Sequence, residues 1–330
     1  MSSELILVII LALVFEFING MRDSSNIVAT MISSRAFTPR VALGITAAAE
    51  FAAPFLFGTV VARTVGDSIV DSSVLTLKMV IACLIGTLIW NLLTWFFGIP
   101  SSSTHALIGG MLGSIFVAVG ADAIKMNGVY KVIIALFASP ILGFLVGFFV
   151  LRVIYLLSWN ASPNINNFFK QGQIVTALSL AFSYGTNDAQ KTMGIITLSL
   201  VIGGVLTGFE VPVWVIVISA MAMTLGSFLG GWRMIRAIGA KFYKIRPVHS
   251  FAAQMTSAFV ILSASLVGVP VSTTQVVSSG IVGVGSSERF GKVRWTVVTD
   301  ILTAWVITIP VSGLISAGVY WLIVNFSGSG

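Results

Sequence analysis

The sequence predicts an all-α integral membrane protein with about ten hydrophobic segments in two inverted-topology repeats. It further predicts interrupted helices and room for re-entrant hairpins. Three observations carry this. Hydrophobic residues make up 57% of the chain and charged ones 9%, with a mean hydropathy of +1.02, where soluble proteins average about 25% charged residues. Two polar stretches, Phe17-Ile-Asn-Gly-Met-Arg-Asp-Ser-Ser-Asn26 and Ser183-Tyr-Gly-Thr-Asn-Asp-Ala-Gln-Lys191, break apolar runs at matching places, Asp188 falling 165 residues after Asp23 in a chain of 330. The basic residues, finally, divide unevenly between the two faces that the loops define.

The apolar runs fit helices of about 20 residues rather than the alternating strands of an outer-membrane barrel. In the first half they lie near 5–34, 41–65, 79–97, 104–120 and 129–158; in the second, near 173–206, 212–235, 250–268, 275–285 and 295–326. The first segment of each half is the interrupted one. The opening residues have no basic stretch and no small-residue cleavage site, so Leu5–Phe17 reads as a retained helix. Segments 104–120 and 275–285 are short and rich in glycine and serine, and fit either full crossings or arms of hairpins. Residues 1–160 form one repeat, 161–172 a cytoplasmic linker and 173–330 the second repeat.

Alternating the loops between faces puts twelve of the 18 basic residues, among them Arg152, Lys170, Arg246 and Arg294, on one side. Four, Arg63, Lys78, Lys125 and Lys131, fall on the other, and Arg22 and Lys191 lie within the breaks. The positive-inside rule makes the first face cytoplasmic and both termini extracytoplasmic, in a multi-pass protein of the cell membrane. The same rule explains the net charge of +7 without a nucleic-acid partner. Cys83, the only cysteine, excludes an internal disulfide. There is no Gly-x-x-x-x-Gly-Lys-Ser/Thr loop, hence no built-in ATPase.

Polar residues inside a membrane segment are costly unless they line a cavity or face protein, and a matched pair of breaks points to a transporter's binding site. Asp23, Asn26, Asn187 and Asp188 offer hard oxygen ligands for sodium, and a buried carboxylate can take a proton instead. A second pair of motifs, Gly98-Ile-Pro-Ser-Ser-Ser-Thr-His105 and Gly268-Val-Pro-Val-Ser-Thr-Thr-Gln275, recurs at an offset of 170. Serine or threonine here can simply cap a helix. Two helix N-termini brought face to face would instead bind an oxyanion through free N–H groups and hydroxyls. That reading assigns anion binding to Ser101, Ser102, Ser103, Thr104, Ser272, Thr273 and Thr274. Arg22 and Lys191 are expected to neutralise nearby carboxylates; Glu50, Asn91 and Gln275 are supporting candidates. Glu16 is open between cation ligand, proton carrier and paired structural acid.

These four motifs resemble those of the inorganic phosphate transporter (PiT) family, of the short bacterial and archaeal type, and the match runs through most of both halves. The resemblance implies cation-coupled import of phosphate, with cations at the Asp/Asn breaks and phosphate at the Ser/Thr tips. Bacterial members often carry histidine where this chain has Arg22, Tyr184 and Gln275. Their replacement removes candidate proton carriers and moves the expectation from protons to sodium. No cofactor is expected beyond sodium as coupling ion, and no enzymatic activity. The partners expected are phosphate, sodium or protons, and membrane lipid; assembly with further copies is left open. The competing readings are a proton-coupled phosphate permease, a sulfate permease of the same family and, from another class, a passive anion channel.

Overall fold

The computed structural model describes residues 1–33, 38–68, 74–162, 164–238 and 246–327. Arg35, Lys241 and Lys244 lie outside these, as does the side chain of Asn26, one of the expected cation ligands. The described residues form eleven α-helices. The first half holds α1 (Ser3–Ser33), α2 (Pro39–Phe57), the single turn α3 (Val60–Arg63), α4 (Leu77–Phe97), α5 (Ser103–Val119) and α6 (Met126–Leu157). The second holds α7 (Ile165–Ile202), α8 (Val213–Ile238), α9 (Pro247–Leu266), α10 (Thr273–Glu288) and α11 (Trp295–Ser327). Six of them, α1, α2, α4, α6, α8 and α11, are long and apolar enough to cross a membrane.

Two expectations need correction. The polar stretches do not break the backbone: α1 and α7 run as continuous helices through Phe17–Asn26 and Ser183–Lys191. A helix satisfies its own backbone groups, so the polar side chains need only a protein surface to face, and other helices supply it. The linker expected at 161–172 is also shorter, since α7 is already helical from Ile165.

Each half contributes one helical hairpin. Gly98 and Gly268 turn them, with φ of +68° and +73°, a region closed to most side chains. After each turn a serine caps the next helix: Ser102 Oγ accepts from His105 N at 3.2 Å, and Ser272 Oγ from Gln275 N at 3.4 Å. The depth of the tips is set by the helices packed beside them. On α5, Gly109 lies against Ile309 and Ser312, and Gly113 against Gly313, in the middle of α11. On α10, Ser279 and Gly280 lie against Gly143 and Gly147 in the middle of α6. Both tips therefore end inside the protein, part-way along a full-length helix.

Small residues make these approaches possible, as is usual where helices pack without water to drive them together. The seams of the two halves match with sizes exchanged: Gly109 faces Ser312 where Ser279 faces Gly143. The α1–α8 and α7–α2 contacts match as well. A Cβ on Gly20 would lie 2.3 Å from Met223 O, and one on Gly185 2.4 Å from Glu50 O.

Apolar side chains cover the outside, for example Ile141 and Phe149 on α6 and Leu314 and Trp321 on α11. Charged and amide side chains, Glu16, Asp23, Glu50, Asn91, Asn187, Asp188 and Lys191, are buried. This inside-out distribution is what a lipid environment selects.

Candidate functional site

The buried polar groups converge where the two hairpin tips meet the centres of α1 and α7. The tips touch directly: Thr104 Oγ1 donates to Val271 O at 3.2 Å, and the Gln275 amide lies 3.3 Å from Nδ1 of His105. From α1, Arg22 donates to Asn91 Oδ1 at 2.8 Å and to Ser101 O and Oγ at 3.0 Å. One residue further on, Asp23 Oδ1 accepts from Thr274 Oγ1 at 2.8 Å. The centre of α1 thus holds both hairpins at once.

From α7, Lys191 pairs with Asp188 and donates to Thr104 Oγ1 at 2.7 Å and Val271 O at 3.1 Å. Asn187 ties the second hairpin down, giving Nδ2–H to Ser265 Oγ at 2.9 Å and accepting from Val271 N at 3.4 Å. Thr192 joins the two central helices by donating to Glu16 Oε2 at 2.6 Å. Gln190 caps α3 from a distance, with Oε1 accepting from Val61 N at 2.7 Å and Ala62 N at 3.2 Å, and Nε2–H going to Gly58 O at 2.7 Å.

The seven expected anion-binding hydroxyls divide by occupation. Ser102 and Ser272 are helix caps, the plainer of the two roles open to them. Ser101 donates to Thr94 Oγ1 at 2.7 Å, while Thr104 and Thr274 serve Val271 O and Asp23. Ser103 and Thr273 remain: they are the first residues of α5 and α10, both buried, and their hydroxyls make no hydrogen bond among the described residues. They stand at corresponding places in the two motifs, beside the free N–H groups that begin each helix.

Oxygen atoms without a hydrogen-bond partner collect around the same centre. Both oxygens of Glu50, Oε1 of Glu16, Oδ1 of Asn19 and Oδ2 of Asp188 are buried in this condition. Leaving carboxylate oxygens buried and unsatisfied costs several kcal/mol, roughly, unless a cation or proton compensates. Glu16, Asp23, Glu50 and Asp188 lie within electrostatic range of one another, which suits a site loaded with positive charge. Asn19 and Thr192 were not singled out from the sequence. The signal was there, since Glu16, Asn19 and Asp23 share one helical face, but it can be read only if α1 is taken as unbroken.

A buried, charged centre reached by two hairpin tips inside an apolar shell suits a membrane transporter for a charged solute. The chain belongs to the phosphate transporter family, whose family model matches residues 19–316. It is 41% identical over 322 residues to a "probable low-affinity inorganic phosphate transporter" of Bacillus subtilis, covering 96% of both chains. A protein of the same description from Mycobacterium tuberculosis is 42% identical, over 98% of this chain and 78% of its own length. Among solved structures, one described as "The sodium-dependent phosphate transporter" superposes with a TM-score of 0.90 at 25% identity, covering 98% of this chain and 100% of that one. The family consists of transporters, not enzymes, and phosphate is its substrate.

Proposed function

We propose that the chain imports inorganic phosphate by sodium symport, through two inverted repeats, one ending with α6 and the other beginning with α7, that meet at the hairpin tips. The observation that carries the anion site is the pair of uncommitted hydroxyls, Ser103 and Thr273, at facing helix N-termini. Helix N-termini favour anions through their N–H groups and dipole. Support for sodium comes from the unpartnered oxygens of Glu16, Asn19 and Glu50 beside Asp23, and from the sodium dependence that the structural neighbour carries in its name. Sodium brought in with the anion offsets the work of moving negative charge inward, about 2.3 kcal/mol per charge at 100 mV. The matched contacts of the two halves support a rocking of one repeat against the other around a fixed central site.

Purified protein in vesicles is expected to accumulate phosphate under an inward sodium gradient. Ser103→Ala and Thr273→Ala should each raise half-saturating phosphate about tenfold, the loss of one hydrogen bond to a charged group at about 1.5 kcal/mol. Ser102→Ala and Ser272→Ala, which remove caps, should lower the melting temperature instead. Accumulation in sodium-free vesicles under a pH gradient alone would overturn sodium coupling. Wild-type phosphate affinity in both Ser103→Ala and Thr273→Ala would overturn the anion site.

The orientation follows from the basic residues: Arg246, which pairs with Glu288, and Arg294 face the cytoplasm, and both termini face out. In a Cys83→Ala background, a cysteine at position 294 should resist an impermeant thiol reagent in intact cells. Labelling from outside would reverse the assignment.

A further inference from the structure

The centres of α1 and α7 correspond residue by residue at the offset of 165: Arg22, Asp23 and Asn26 stand where Asn187, Asp188 and Lys191 stand. Each centre has one aspartate, one amide and one fixed cation, with cation and amide exchanged. The position three residues after the aspartate is therefore neutral in one half and carries an ammonium in the other.

The surroundings of that ammonium show what it does. Lys191 is buried, at 1% exposure, and its Nζ meets a carboxylate oxygen of Asp188, the Thr104 hydroxyl at 2.7 Å and the Val271 carbonyl at 3.1 Å. An ammonium has three N–H donors, and these three oxygens use all of them. No proton is left for an oxyanion without breaking a bond, so Lys191 is poorly placed as a phosphate ligand. A carboxylate, a hydroxyl and a main-chain carbonyl closing on one positive charge is, however, the oxygen set that a hard cation takes. The three oxygens come from α7, the first hairpin and the second hairpin, so the charge holds both tips to the central helix.

We propose that Lys191 is a tethered cation. Its ammonium fills the oxygen cage of Asp188, Thr104 and Val271 that would otherwise receive a mobile coupling ion, and the protein moves one cation fewer per phosphate than its two-fold plan accommodates. The fixed charge compensates the anion electrically but draws no energy from an ion gradient. The mobile ion is left to the centre of α1, around Asp23. This inference rests on the coupled-symport reading, deepening it by assigning unlike roles to the two aspartates.

The test is the ratio of sodium to phosphate entering vesicles that contain the purified full-length protein, measured with both species radiolabelled. Lys191→Asn puts at 191 the residue that stands at 26. It is expected to take in one more sodium per phosphate, and to gain a larger rise in melting temperature from sodium chloride over choline chloride. An unchanged ratio in a variant that still transports would overturn the proposal. Should Lys191→Asn not fold, Asp188→Asn combined with Lys191→Met removes both charges with little change of shape. That protein is expected to transport more slowly but in the wild-type ratio; loss of one sodium from its ratio would show that Asp188 holds a mobile ion and would overturn the proposal. If wild-type transport needs no sodium, symport with sodium is what fails. The comparison then rests on charge moved per phosphate, where a gain of one in Lys191→Asn supports the tethered cation and no gain overturns it.

Discussion

Gly185→Val is expected to leave no folded protein to purify, and Gly185→Ala to melt well below the wild type. The reason is a backbone-to-backbone contact that cannot yield. A Cβ at position 185 would sit 2.4 Å from Glu50 O, 2.8 Å from Ala53 Cβ and 2.9 Å from Glu50 Cα. Crowding a packed interior by one methyl group costs roughly 1–3 kcal/mol, and valine adds two more carbons at the same point. Any shift of α2 that made room would move Glu50, which belongs to the central acidic group, so loss of transport should accompany loss of stability in whatever survives. Gly44→Ala is the control. It lies in α2 with nothing within 4 Å of its added Cβ, and alanine favours helix over glycine by about 1 kcal/mol. Size-exclusion profiles and melting curves in detergent measure all three; a monodisperse Gly185→Val with wild-type melting would refute the close approach.

How legible the fold was depended on the kind of signal. Hydropathy marks α1, α2, α4, α6, α8 and α11, because an apolar run of membrane length has few other uses. The two turns left a mark as repeated Gly-x-Pro-x-Ser motifs, each with the glycine that a left-handed turn needs, but whether the helices after them crossed fully or returned as hairpins was open in the sequence. Continuity of α1 and α7 was not legible. Polar residues inside an apolar run look the same whether the helix unwinds or finds polar neighbours, and those neighbours, Asn91, Ser101, Thr104 and Thr274, lie far away along the chain.

The same limit applies to the site. The seven hydroxyls of the tips have one chemistry in the sequence, and only contacts at a distance separate caps such as Ser102 from uncommitted groups such as Ser103. Glu16, open between three roles in the sequence, accepts from Thr192 on α7 and leaves Oε1 without a partner, contacts that no local pattern shows. Gln190 shows no local reason for its place, because its purpose is to cap α3, about 130 residues earlier in the chain. Pairwise long-range contacts of this kind are absent from any local pattern.

Asp23→Asn and Asp188→Asn, equivalent by sequence, are expected to fail differently. Asp23 accepts from Thr274 Oγ1, a hydroxyl that asparagine's Oδ1 can also engage, so Asp23→Asn should fold and reach the membrane. What it loses is the negative charge at the centre of α1, where Glu16, Asn19 and Glu50 leave oxygens unpartnered. Half-saturating sodium should rise at least tenfold, or uptake should vanish, while the melting temperature without sodium stays near the wild-type value. Asp188→Asn instead strips the buried Lys191 of its carboxylate. Breaking a buried ion pair by removing one partner costs roughly 3–5 kcal/mol, so this variant should melt far below the wild type whether or not sodium is present. Restoring balance with Lys191→Met on top of Asp188→Asn should recover much of that stability. Sodium titrations of uptake, with melting curves in sodium and in choline, separate the two patterns. Equal sodium shifts and equal melting in both variants would mean that the two aspartates do the same work, and the asymmetry built on Lys191 would have to be given up.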